Sequence, residues 1–311
     1  MSREADATRR IAEQLLGGRE RVVFVQLAAP SRSTILRYQQ IEGSFTQPNG
    51  GVSRQMLGWR LRLGGPRETV VMACASGAAS IAFGADLIRS GATPLALAGG
   101  VDAITRICFM GFNALKLLDP EPCRPFDRGR RGMSIGEAAA FVVLEDSEHC
   151  RRRGGRALGE LLGAGVTTDA HHVTAPHPEG EGMIRAMTDA LAAAGREPGD
   201  IGYVNAHGTG TPQNDRVEAL AMARVFGEGR VLVSSTKSLV GHTMAAAGSV
   251  EARAIFGSMS IGAMAAGTVS VSIRYTPCGP PGERRRYTRV TNAGPDRLRE
   301  STGAQLDRPV L

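Results

Sequence analysis

Apolar and polar positions are weakly ordered over residues 1–50 and sharply ordered from Thr69 onward. In the first stretch only Val22 to Leu27 is apolar enough to predict a strand, and Pro30 to Gly51 is polar with no clear period. Thr69 to Ala73 is a short apolar run that predicts a buried strand. Ala78 to Arg89 has helical spacing with a small-residue face and a stop at Gly91, and Pro94 to Ala98 predicts the next strand, closed by Gly99-Gly100. A strand–helix–strand unit of this kind predicts parallel strands with a right-handed crossover. Phe141 to Glu145 predicts another strand. Past a solvated connection at Arg151 to Gly155, the pattern predicts helices over Met183 to Ala194, Asp215 to Phe226 and Met244 to Phe256, and strands over Ile201 to Asn205 and Val231 to Ser234. Arg284-Arg285-Arg286 and the run from Asp296 to Pro309 carry no period and predict a loose tail. Alternating strands and helices predict an α/β protein with largely parallel sheets.

Composition narrows the class of protein. The 311 residues are 42% hydrophobic and 22% charged, an ordinary globular balance for one large domain or two. Aromatics make up 5%, so the core is expected to be built from Ala, Val, Leu, Ile and Met. No run of eighteen apolar residues occurs, which excludes a transmembrane helix, and the charged start lacks the apolar stretch of a secretory signal. The five cysteines, Cys74, Cys108, Cys123, Cys150 and Cys278, are scattered and form no CxxC pair, which argues against a disulfide framework or a zinc site and fits a reducing cytoplasm. The net charge is +7, carried by arginine except at Lys116 and Lys237. Basic residues are not interleaved with aromatics, so nucleic acid is a poor partner. The positive excess is available to steer an acidic one.

Three places carry candidate chemistry. Cys74 lies where a predicted strand turns into a helix, among the small residues Ala73, Ala75, Ser76 and Gly77. Free N–H groups and the helix dipole there would lower a thiol's pKa, make it a nucleophile and hold an oxyanion. A buried, inert cysteine is the open alternative. His207 and His242 each follow a predicted strand, in turns containing Gly208, Gly210 and Gly241 that leave room for a ligand. Lys237, in a chain of arginines, implies a need for a compact ammonium. His171, His172 and His177 lie close in sequence, but adjacent histidines rarely face one ion and no further ligand completes a set, so no metal site is expected.

Taken in order and spacing, several stretches resemble the condensing β-ketoacyl-acyl-carrier-protein synthases of the thiolase superfamily. They are Val70-Val71-Met72-Ala73-Cys74-Ala75-Ser76-Gly77, Arg124-Pro125-Phe126-Asp127, Gly136 to Ala140, Asp169 to Pro176, His207 to Asp215 and Ser234 to Glu251. The resemblance runs from about Gly51 to Phe256 and is closest to elongating enzymes of bacterial type II fatty-acid or polyketide systems. It implies a layered αβαβα fold of two similar halves, incomplete at both termini. Residues 1–150 would carry the nucleophile, with 1–50 poorly matched. Residues 151–311 would carry the two histidines, with about 257–311 poorly matched.

The resemblance also implies a mechanism. Cys74 would take an acyl group from a carrier-protein thioester. His207 and His242, as neutral imidazoles, would hold the malonyl thioester carbonyl during decarboxylation, and the enolate would attack the acyl-Cys74 carbonyl. Lys237 would tune the field around His242, Glu251 would anchor Lys237, and Thr209 and Thr211 would bind pantetheine. No cofactor is implied. The implied partners are acyl and malonyl carrier protein and a second subunit, identical or related, in the cytoplasm. Arg124-Pro125-Phe126-Asp127 is expected to be a proline-fixed turn with an ion pair under the site. The family's C-terminal glycine- and phenylalanine-rich turn has only Val290 to Gly294 as a counterpart, which would leave the Cys74 amide as the oxyanion donor. Two other functions fit the same motifs: a non-catalytic chain-length partner or remnant, and a thiolase-fold acyltransferase that loads without elongating.

Overall fold

The computed structural model describes Gly65, residues 68–155, 157–172 and 174–255, and the backbone of strand segments 261–266, 269–275, 292–293 and 297–298. Val22 to Leu27, Pro30 to Gly51, Arg284 to Arg286 and Cys278 lie outside the described residues. Within the expected loose tail, Arg297–Leu298 pairs antiparallel with Asn292–Ala293. None of the described helices is long and apolar enough to cross a membrane.

Helix α1 (Ser76–Arg89) follows a 3-10 turn, Ala73–Ala75, and leads to strand β1 (Leu95–Asp102). Helix α2 (Arg106–Ala114) comes next, then strand β2 (Ala138–Glu145) and the short helix α3 (Ser147–Arg152). β1 and β2 form an antiparallel pair, Leu95 opposite Glu145 and Asp102 opposite Ala138. The remaining elements are β3 (Gly159–Val166), α4 (Glu181–Ala194), β4 (Tyr203–Asn205), α5 (Pro212–Phe226), β5 (Leu232–Ser234), α6 (Lys237–Val240), α7 (Ala247–Ile255), β6 (Ile261–Ala266) and β7 (Val269–Tyr275). Their strands form one sheet in the order β3-β7-β6-β4-β5.

The layers follow from which faces are apolar. α1 and α7 pack against each other between the two sheets, touching β1 and β2 on one side and the five-stranded sheet on the other. One core, including Ala78, Ile81, Ala98, Tyr203 and Ile255, fills that middle layer. A second core, including Met183, Val204, Val217 and Phe226, lies between the sheet and α4 and α5. The central helices approach closely because they carry glycine where they cross. A Cβ on Gly77 would lie 2.6 Å from Ser249 Oγ and 2.7 Å from Ala245 O, and one on Gly248 would lie 2.5 Å from Ala78 N.

Several expectations need correction. Residues 69–73 form no strand ladder with any described residue. Val70 and Met72 pack on the core, and the segment leads into the 3-10 turn at Ala73. The expected parallel unit is therefore not formed among the described residues, and the described neighbour of β1 is antiparallel. Gly99 and Gly100 do not close β1. The strand runs through them, because backbone from Ala140 and Ala245 presses where their side chains would stand. The second sheet is mixed: β4 is parallel to β5 and β6, whereas β7 is antiparallel to β3 and β6. The helix expected from Met244 starts as a 3-10 turn, Met244–Ala246, and becomes α7 only at Ala247. Of the solvated connection, Arg151 and Arg152 close α3, and Arg153 is paired with Glu145 at 2.6 Å. Helix α2 is not among the expected elements; it is apolar in sequence yet buries no residue, with Ile107, Phe109 and Met110 exposed. β3 escapes the apolar pattern because Gly163 and Gly165 replace apolar residues where α4 packs against the strand.

Candidate active site

Cys74, His207 and His242 come together from three separate chain segments. Cys74 Sγ and one ring nitrogen of each histidine all lie within 4.8 Å of one another. The two imidazoles meet edge to face, with centroids 5.2 Å apart and planes at 85°. Both histidines are buried and Cys74 is half-buried.

The cysteine is positioned by backbone. Ala73, immediately before it, holds a left-handed φ of +46°. Such a residue typically costs about 1–3 kcal/mol and persists only where its surroundings enforce it. Here Ser76 enforces it: its hydroxyl donates to Ala73 O at 2.7 Å and accepts the Met72 N–H at 2.9 Å. The α-helix itself begins two residues after Cys74. Burial pushes the Cys74 thiol up to about 11, and the nearby Lys237 charge only partly opposes that. The expected lowering is thus overturned. Desolvation of the anion outweighs the help from the helix end, and the resting sulfur is a thiol at neutral pH.

The histidines are positioned by polar groups. His207 follows β4, and its N–H donates to Glu218 Oε1 at 2.6 Å while the Gly208 N–H donates to Glu218 Oε2 at 2.8 Å. One turn earlier on α5, Asp215 accepts the Gly210 N–H at 3.2 Å and the Phe126 N–H at 2.7 Å. Two buried carboxylates of one helix face therefore shape the whole loop. Gly208, at φ +44°, needs to be glycine, because a Cβ there would meet Ser235 at 2.6 Å and the Phe126 ring at 3.0 Å. Thr209 and Thr211 are buried and bonded to each other, Oγ1 to Oγ1, at 2.8 Å.

His242 is held by the neighbouring strap of residues 134–136. Its N–H donates to Ser134 O at 2.7 Å, and its carbonyl accepts the Gly136 N–H at 2.9 Å. Its Nδ1 accepts the Met244 N–H at 3.2 Å, which puts the ring proton on Nε2. Lys237 Nζ lies 2.5 Å from Glu251 Oε1 and 3.4 Å from His207 Nδ1, with both charged side chains fully buried. Its contact is with His207, while its charge reaches the His242 ring as well. An ammonium only donates, so His207 also carries its proton on Nε2. Both histidines sit well below the usual imidazole range, first because they are buried and then because Lys237 repels a second charge. They are neutral at pH 7. Burial pushes Glu251 and Glu218 up to about 7, against the pull of Lys237 and of the loop N–H groups.

Among the described residues, Cys74, His207 and His242 are also the one group of three ligand-type side chains close enough to share a metal ion. With both Nδ1 atoms engaged and both Nε2 atoms protonated, the rings present donors rather than lone pairs, beside a buried ammonium. The arrangement suits a developing anion better than a cation. His171 and His177 form an edge-to-face pair 4.9 Å apart. His172 Nδ1 accepts the Thr174 and Ala175 N–H groups, each at 3.1 Å, and so serves its own turn.

Around Arg124-Pro125-Phe126-Asp127, Arg124 pairs with Asp119 at 3.5 Å and Arg130 with Asp215 at 3.6 Å, directly beneath the His207 loop. Sequence reasoning did not single out Glu218, Asp215 or Asp102 as site residues. The available signal was a pair of carboxylates three apart on a helix that starts immediately after the His207 loop.

Two family models match along the chain. Residues 30–149 match the β-ketoacyl synthase N-terminal domain family and residues 158–269 the β-ketoacyl synthase C-terminal domain family. A Staphylococcus aureus 3-oxoacyl-[acyl-carrier-protein] synthase 2 is 43% identical over 205 residues, covering 63% of this chain and 50% of the relative. The chain thus spans about half the length of the curated relatives it matches. Among solved structures, the ishigamide ketosynthase/chain length factor is 31% identical with a TM-score of 0.70, over 79% of this chain and 72% of that one. A β-ketoacyl synthase from Burkholderia phymatum STM815 is 28% identical with a TM-score of 0.71, over 89% of this chain and 83% of that one. The thiolase-like ketosynthase fold, the motifs in order and these matches agree: this chain belongs to the β-ketoacyl synthase family.

Proposed function

We propose that the protein is a 3-oxoacyl-acyl-carrier-protein synthase that elongates acyl chains in a type II fatty-acid or polyketide system. The observation that carries this reading is the meeting of Cys74 with two neutral imidazoles, each with Nδ1 engaged and Nε2–H free for substrate. In the first half-reaction the Cys74 sulfur attacks an acyl thioester. The S–acyl bond to pantetheine breaks, and the Cys74 proton ends on the departing pantetheine sulfur. In the second, a malonyl thioester carbonyl oxygen accepts hydrogen bonds from His207 and His242. Carbon dioxide leaves, and its bonding electrons form an enolate that those two donors stabilise. The enolate carbon attacks the acyl-Cys74 carbonyl. The β-ketoacyl thioester departs, and the Cys74 thiolate regains a proton from solvent. Each preorganised donor of this kind is typically worth about 10²–10³ in rate.

Lys237 and Glu251 hold His207 neutral and oriented, and Thr209 and Thr211 line the approach of the pantetheine arm. No cofactor takes part. In this reading, residues 1–150 and 151–311 are two similar halves of a layered αβαβα architecture, with 1–50 and about 257–311 poorly matched. The protein works in the cytoplasm with acidic acyl and malonyl carrier proteins, as one subunit of a homodimer or of a heterodimer with a related chain. The name of the ishigamide ketosynthase/chain length factor supports the paired-subunit reading.

The test is Cys74→Ala, assayed with acyl and malonyl carrier protein. Acyl transfer is expected to vanish while malonyl decarboxylation persists. Intact acyl transfer in the variant would sink the reading. Decarboxylation without condensation in the wild type would assign a loading acyltransferase. No chemistry at all, with a tight related partner, would assign a chain-length subunit.

A further inference from the structure

Strand β1 ends in Gly99-Gly100-Val101-Asp102, and the side-chain-free backbone at Gly100 lets the turn after His242 come into contact. At that contact the half-buried Asp102 reaches across 143 positions of sequence. Its Oδ2 accepts the Ala245 N–H at 3.2 Å, and its Oδ1 accepts the neighbouring Ala103 N–H at 3.0 Å. Ala245 directly follows Met244, whose backbone is left-handed at φ +48° and whose N–H is the donor to His242 Nδ1. One peptide unit therefore separates the group that Asp102 holds from the group that sets the His242 tautomer. An isolated Met244 would leave that conformation, since a left-handed non-glycine residue costs free energy unless tethered.

We infer that Asp102 is a positioning residue: by holding Ala245 it keeps the Met244 N–H on His242 Nδ1 and so keeps the His242 proton on Nε2, aimed at substrate. This rests on the proposed role of His242 as a donor to the thioester carbonyl. A carboxylate suits the task because two N–H groups need two acceptors, whereas a carboxamide offers one acceptor and one donor. The charge of the same carboxylate reaches two thiols. Burial pushes Cys74 and Cys108 up, and the Asp102 charge adds to that rise at both. Asp102 itself is raised by burial, against the pull of the Ala245 and Ala103 N–H groups. Asp102 thus acts on the Cys74 thiol through its charge and on the His242 turn through its hydrogen bond, and the two effects can be read separately.

The experiment uses the full chain with ¹⁵N-labelled histidine, in wild type, Asp102→Asn and Asp102→Glu. It reads the imidazole ¹⁵N shifts, the decarboxylation of malonyl carrier protein, and the rate of iodoacetamide alkylation at Cys74 resolved by mass. In Asp102→Asn the His242 signals are expected to mix both tautomers while those of His207 stay unchanged. Decarboxylation kcat is expected to fall about 10–100-fold, with KM little altered, as for a displaced catalytic group. Cys74 alkylation is expected to rise about two- to fivefold as the opposing charge is removed. Asp102→Glu keeps the charge, so alkylation is expected to stay at the wild-type rate while the tautomer lock loosens. Should the Asn variant not fold, the Glu variant decides by the same His242 signals. Unchanged His242 tautomers, or a parallel fall in alkylation, decarboxylation and melting temperature, would overturn the inference. If the wild type does not decarboxylate malonyl carrier protein, the proposed function fails, and the tautomer and alkylation readings still judge Asp102.

Discussion

The nucleophile and the two imidazoles share one small space, yet different physics places them. Cys74 is held by close-packed backbone: a left-handed Ala73, a hydroxyl brace from Ser76, and the glycine crossing of α1 with α7. His207 and His242 are held by polar partners: carboxylates on loop N–H groups, an ammonium and a backbone N–H on the ring nitrogens. In the proposed reaction, the side that would carry negative charge is thus fixed by shape, and the side that would donate to charge is fixed by hydrogen bonds. Shape costs no proton and leaves the sulfur uncommitted. The polar network commits each ring to one tautomer, so under the proposed mechanism the donors would need no reorganisation when charge develops.

Removing the ammonium strikes the polar side hardest. Lys237→Met is expected to strand the buried Glu251 carboxylate and destabilise the fold by about 3–5 kcal/mol, measured by denaturant unfolding at pH 8. Without the pull of Lys237 the Glu251 carboxyl takes up its proton above pH 7, so the loss is expected to grow with rising pH and to be smallest in acid. A pH-independent loss would mean that packing, not charge, is what Lys237 supplies.

The packed side is probed by Gly248→Ala. The added methyl would sit 2.5 Å from Ala78 N, against backbone that cannot swing away. A cost of about 1–3 kcal/mol is expected, in line with overpacking. Cys74 alkylation is expected to change with it, while the His207 and His242 ¹⁵N shifts hold. A shift of the histidine signals instead would erase the distinction between the two sides.

The smallest effect is a slope. Glu218 holds its proton to about pH 7 in the folded protein, above the range of an exposed carboxyl. It therefore contributes stability that is full below the unfolded carboxylate range and lost as pH rises through about 7. The depressed histidines act oppositely, adding stability as pH rises through the ordinary imidazole range. Glu218→Gln removes only the first contribution. Its stability deficit relative to wild type is expected to narrow between about pH 5 and pH 8, measured by thermal unfolding across that range. A deficit that widens would reverse the assigned direction.

Much of this was legible in the residues. The order of the motifs around Cys74, His207 and His242 pointed to the family, and the apolar periods of α1, α4 and α5 were plain, because each buries one face. β3 was not legible, because it substitutes glycine where α4 packs. Sequence alone also misjudged the sulfur, since it shows the helix end but not the desolvation that outweighs it.

What the chain by itself determined is the set of reactive side chains and the small residues that let them approach, since these are choices of atoms. What only the tertiary structure decided is their electrical state. The ionisation of Cys74, the tautomers of both histidines and the reach of Asp102 to Ala245 depend on burial and on partners up to 143 positions away. Desolvation and directional hydrogen bonds act through space, and no local pattern of residues encodes them.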